Sequence, residues 1–146
     1  MPRILAIDFG TKRTGLAVTD TLQLIATGLT TVETPTVFDF LMKYISKEPV
    51  ELFVVGDAKN LDGTAAQSTP AINAFVKNLQ INFPHIPVVQ EDERFTSKMA
   101  FQTMIDSGLN KSQRRNKKLI DEISAVIILQ SYLQRKEIEK QKPLKA

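Results

Sequence analysis

The chain has 146 residues, 42% of them hydrophobic and 24% charged, which is the balance of an ordinary soluble globular domain. No apolar run approaches the roughly 20 residues that a membrane-spanning helix needs, the first residues lack the charged-then-apolar pattern of a secretion signal, and the absence of cysteine excludes disulfides and thiolate metal sites. The formal charge of +3 is unevenly spread, with nine Lys/Arg against twelve Asp/Glu in residues 1–108 and ten against four in residues 109–146, so the C-terminal quarter reads either as a footprint for a polyanion or as a solvated helix end and tail.

Taken in order, Ile4–Ile7 reads as a buried strand that ends in a carboxylate, Asp8. Gly10, Lys12, Arg13 and Gly15 follow as a turn, and Gly15–Val18 returns as a second strand. Leu24–Val32, rich in β-branched residues, completes an antiparallel meander. Pro35 stops the sheet, and Phe38, Leu41, Met42 and Ile45 mark an amphipathic helix over 36–47. Leu52–Val55 is a second apolar strand, ending at Gly56. The polar stretch 57–64 reads as a loop, and residues 70–83 as a helix. Val88-Val89 makes a short strand that runs into Glu91-Asp92-Glu93-Arg94. Residues 96–107 form a helix capped by Thr96, and 110–118 a polar, basic connection. The last helix covers Leu119–Gln134. The strand–helix alternation of the second half implies parallel strands joined by right-handed crossovers. The economical architecture is an α/β fold, a mixed five-stranded sheet flanked by helices on both faces. One domain over 1–137 and a charged, disordered tail over 138–146 are expected.

Three acids sit at element ends that this topology gathers: Asp8, Glu93 and Asp121. Ligand sites of open α/β sheets lie beyond the carboxyl ends of the strands. Offsets of four, seven and eleven place Asp121 on one helix face with Ala125, Ile128 and Tyr132, a core-directed face that demands a partner for the charge. A divalent cation is one partner. Oxygen donors, with one His and no Cys in the chain, favour Mg²⁺ or Mn²⁺, and two such ions serve phosphodiester hydrolysis. Each acid also has a simpler reading. Asp8 can accept backbone N–H groups in the turn after it, Glu93 can be a loop acid or partner of Arg94, and Asp121 can complement the helix dipole.

Asp8-Phe-Gly-Thr-Lys-Arg-Thr-Gly-Leu-Ala-Val, Val54-Val-Gly56 with Asn60-Leu-Asp-Gly-Thr64, Asp92-Glu-Arg94 followed by Thr96, and Asp121 with Ser124–Tyr132 resemble, in this order, the YqgF family. That family is described both as pre-16S rRNA nucleases and as Holliday junction resolvases. The resemblance runs from about residue 4 to 134. It implies a ribonuclease H-like fold and a hydrolase that makes a metal-dependent cut, in precursor 16S ribosomal RNA for ribosome biogenesis or in four-way DNA junctions. It assigns the acidic triad and metal ligands to Asp8, Glu93 and Asp121, with magnesium or manganese as cofactor. It assigns substrate contacts to Lys12, Arg13, Arg94, Asn60 and Thr96. Expected partners are nucleic acid and ribosomal particles, without a membrane, for a cytoplasmic monomer or homodimer. The chain departs from the family at Asp57-Ala58-Lys59, where a proline commonly follows the Val-Val-Gly turn. A binding protein without catalysis and an actin-like or sugar-kinase ATPase are the competing classes; the second needs another, similar domain for which this chain has no room.

Overall fold

The computed structural model describes residues 2–57, 69–92 and 117–141. Five strands, β1 (Arg3–Asp8), β2 (Arg13–Thr19), β3 (Ala26–Glu33), β4 (Val50–Asp57) and β5 (Val88–Asp92), form one sheet in the order β3-β2-β1-β4-β5. The first three make the expected antiparallel meander, β4 lies parallel to β1, and β5 parallel to β4. Strand β1 is therefore central, and its carboxyl end lies beside that of β4. The helices are α1 (Val37–Lys47), α2 (Thr69–Asn82) and α3 (Lys117–Gln141).

The strand alternation sorts the core into two layers. Leu5, Ile7, Leu16, Val18, Phe53 and Val55 face Val37 and Leu41 of α1 and Ile72, Phe75 and Leu79 of α2. Ile4, Ala6, Ala17 and Val54 face Ala125, Ile128 and Leu129 of α3. Both faces are thus covered by helix, which explains why β1 reads as an unbroken apolar run.

Several boundaries differ from expectation: β2 begins at Arg13, β3 at Ala26 rather than Leu24, and β4 and β5 run longer than their apolar cores. The α-helix after β3 starts at Val37, because Thr34–Thr36, with Pro35 inside, forms a separate 3₁₀ turn. Helix α3 runs over 117–141 rather than 119–134. Lys117 and Lys118, expected in a polar connection, are helical, in keeping with the good helix propensity of lysine. The helix expected over 96–107 lies outside the described residues. No described helix is long and apolar enough to cross a membrane.

The turn from β2 to β3 is held by Asp20. Its Oδ1 accepts the Leu24 and Ile25 N–H groups, both at 2.8 Å, and Oδ2 accepts that of Leu22 at 3.2 Å. These backbone donors hold the Asp20 carboxyl below its ordinary pKa. At the far edge, Glu91 of β5 is buried beneath α3. Arg135 binds its Oε2 through Nη2 at 2.7 Å and Nε at 3.1 Å, and the Ser131 hydroxyl donates to Oε1 at 3.4 Å. Only 10% of the Glu91 side chain is exposed, so removing Arg135 leaves a carboxylate without its cation in a poorly solvated place. Arg135→Ala is expected to cost about 1.5–3 kcal/mol of stability, the range for a hydrogen bond to a charged group. Urea denaturation measures it, and a loss below about 0.5 kcal/mol would show that the pair does not fasten α3.

Candidate active site

Asp8 closes β1. Ile4 and Ala6 face α3, and the period of two puts Asp8 on that same face. Phe9 turns the other way, and its ring stacks on Phe75 of α2 with centroids 4.7 Å apart. The backbone on one side of Asp8 is thus fixed by the sheet and on the other by an aromatic anchor.

The turn after Asp8 is braced from β3 and the 3₁₀ turn. Thr34 donates its hydroxyl to the Gly10 carbonyl at 2.5 Å and its N–H to the Lys12 carbonyl at 3.0 Å. The buried Thr14 hydroxyl meets that of Thr34 at 2.9 Å. A Cβ on Gly10 would overlap the Arg13 carbonyl, so the turn closes only around glycine. Lys12 is exposed at its tip, and Arg13 begins β2 opposite Glu33 of β3.

Gly15 stands directly across from Asp8 in the β1–β2 ladder. A Cβ at Gly15 would lie far inside the van der Waals contact of the Asp121 carbonyl. The start of α3 therefore rests on the bare backbone of β2, and Asp8 and Asp121 come to flank one glycine. Gly28 of β3 repeats the device, since a Cβ there would strike the Glu122 side chain. The Thr31 hydroxyl completes the seam by donating to the Lys118 carbonyl at 2.6 Å.

Asp121 sits in the second turn of α3, beyond the reach of a helix dipole that fades within the first turn. Its partner is Arg13, whose Nε–H donates to Oδ2 at 2.9 Å. Both side chains are partly exposed, 31% for Arg13 and 23% for Asp121. The expected sharing of a face with Ala125, Ile128 and Tyr132 is observed. Sequence reasoning missed the Arg13–Asp121 pair, for residues 108 apart carry no local signal of each other. The same holds for Glu91 and Arg135.

Of the expected site residues, the structure pairs Arg13 with Asp121 and sets Asp8 opposite Gly15, against which the Asp121 backbone rests, with Lys12 on the turn next to Arg13. Glu93, Arg94, Asn60 and Thr96 lie outside the described residues. Asp8 and Asp121 supply carboxylate oxygens, the donor type that hard divalent cations take. Beside them an open depression of about 490 Å³ is lined by Thr11, Lys12, Arg13, Glu33, Pro35 and Lys118, with three cations to one anion. A carboxylate pair next to a cationic depression suits a phosphate-bearing ligand.

Comparison with known proteins shows the family and the fold. The family model described as "RuvX: Holliday junction resolvase" matches residues 2–135. The "Putative pre-16S rRNA nuclease" of Flavobacterium johnsoniae is 58% identical over 136 residues, covering 93% of this chain and 99% of that protein. The protein of the same description from Bacteroides thetaiotaomicron is 53% identical over 136 residues, with the same coverage. Among solved structures, "T. thermophilus RuvC in complex with Holliday junction substrate" superposes with a TM-score of 0.54 at 16% identity, covering 92% of this chain and 96% of that one. At that identity the likeness speaks for the fold, which is of the ribonuclease H-like α/β type.

Gly15→Ala would push α3 off β2 at the point where the Asp121 backbone rests on the residue opposite Asp8. A loss of about 1–3 kcal/mol is expected, typical of overpacking a tight contact, measured by urea denaturation. A change within about 0.5 kcal/mol would contradict the close approach.

Proposed function

The chain belongs to the RuvX family of Holliday junction resolvases, and from that membership we propose that it is a metal-dependent endonuclease that cleaves precursor 16S ribosomal RNA. The observation that carries the chemistry is the placement of Asp8 and Asp121 on either side of Gly15. The RNA substrate is taken from its relatives' descriptions. Glu93, which follows Asp92 in the sequence, is proposed as the third acid. Asp8, Glu93 and Asp121 would hold a pair of Mg²⁺ or Mn²⁺ ions. Bound there, such ions supply an activated water and charge stabilisation at the leaving oxygen of the phosphodiester.

The chain's own residues do the rest. The ladder and the Phe9 anchor hold Asp8 still, so that its carboxylate is oriented before any ligand arrives. Gly15 lets α3 deliver Asp121 to the same point. Lys12, projecting from the braced turn, holds a phosphate of the backbone without reading sequence, and Arg94, Asn60 and Thr96 are proposed to extend that grip. Ionic contacts of this type weaken steeply with salt. The whole unit over 1–137 is proposed as one nuclease domain, acting in the cytoplasm on RNA or ribosomal particles.

The family description itself favours a second reading, a resolvase acting on four-way DNA junctions, and the acids serve either sugar backbone equally. A resolvase that cuts symmetrically requires a homodimer, whereas an RNA nuclease can act as a monomer. A precursor transcript and a DNA junction incubated side by side with Mn²⁺ or Mg²⁺ separate the two. Cleavage of the transcript is expected, falling by at least about a hundredfold in Asp8→Asn and abolished by EDTA. Cleavage undiminished in Asp8→Asn would refute the assignment of the site, and cutting of the junction alone would establish the second reading.

A further inference from the structure

Arg13 belongs to two neighbouring features at once. Its Nε–H holds Asp121 at 2.9 Å, and its side chain also lines the depression shared with Lys12 and Lys118. We propose that Arg13 is an exchangeable counter-ion: it neutralises Asp121 in the free protein and passes to a nucleic-acid phosphate in the depression, so that Asp121 becomes available to a divalent cation. This inference rests on the nuclease reading above.

Three observations support it. Asp121 is tied on its backbone side to β2 and β3 through Gly15 and through the Thr31–Lys118 bond, so the short Asp121 side chain keeps its place on the sheet while the long, partly exposed Arg13 side chain is the one that moves. The pair is partly exposed on both sides, and such pairs are weak enough to exchange. A guanidinium also matches phosphate as well as it matches carboxylate, through the same fork of donors. Lys12 and Lys118 raise the local potential that draws a phosphate into the depression, which Glu33, the ladder partner of Arg13, also lines. The consequence is reciprocal coupling: a bound polyanion favours the cation, and a bound cation favours the polyanion.

Mn²⁺ titration by calorimetry without nucleic acid tests the exchange, together with RNA binding in EDTA followed by fluorescence anisotropy. Arg13→Gln is expected to bind Mn²⁺ about tenfold tighter, the order of effect from removing one of two charges in contact near a surface, and to bind RNA several-fold more weakly. Lys12→Gln removes the same charge from the same turn without freeing Asp121. It should weaken RNA binding and leave Mn²⁺ affinity within about twofold of the parent protein. Equal Mn²⁺ affinity in the parent and Arg13→Gln, or equal tightening by Lys12→Gln, would overturn the exchange while sparing the nuclease reading. No Mn²⁺ binding by any of the three would overturn both. If thermal melting shows that Arg13→Gln does not fold, Arg13→Met, which keeps the aliphatic stem, takes its place in the same titration.

Discussion

The site depends on one close approach. The backbone of α3 lies against β2 at a position where no side-chain atom fits, and Gly15 is the residue that permits it. Because Gly15 faces Asp8 across the central ladder, the approach that packs a helix onto a sheet also sets the backbone of Asp121 against the residue opposite Asp8. Gly28 extends the seam to β3, so α3 crosses the meander on a track of bare backbone before it reaches the apolar layer of Ile4, Ala6, Ala17 and Val54.

Arg13–Asp121 and Glu91–Arg135, both among the described residues, fasten α3, and they differ in kind. Near the helix start, Arg13 and Asp121 are both partly open to water. Near its end, 14 residues and about 21 Å further on, Glu91 is almost wholly covered and is held by two nitrogens of Arg135. A covered carboxylate with two charge-assisted bonds is a structural fixture, because losing its partner leaves a desolvated charge. A partly open pair beside a cationic depression can exchange partners. One helix thus carries a fixed clamp at the far edge of the sheet and a releasable one at the candidate active site.

Much of this fold was legible because the sheet is built from periodic apolar runs. Ile4–Ile7 and Leu52–Val55 announced buried strands, the β-branched run before Pro35 announced the meander, and the spacing of Phe38, Leu41 and Ile45 announced α1. Asp8, at the end of an apolar strand, and Asp121, on a helix face shared with Ala125, Ile128 and Tyr132, were singled out by position. The partners themselves were not. Arg13 was read as a turn cation in reach of substrate phosphate, yet it begins β2 and pairs with a helix residue 108 positions later in the chain. Glu91 looked like one acid among three until the parallel pairing of β4 with β5 placed it under α3. Long-range ion pairs leave no periodic trace, and the role of Gly15 is visible only once the helix is seen lying against it.

The central claim is that Asp8 and Asp121, joined across Gly15, form one cation site. Anomalous scattering from crystals grown with Mn²⁺ tests it most directly. The account predicts a manganese peak with carboxylate oxygens of both Asp8 and Asp121 at about 2.0–2.2 Å, the distance expected of a small hard cation, and the Arg13 guanidinium displaced from Asp121. A protein saturated with manganese elsewhere, with Arg13 still bound to Asp121, would contradict it.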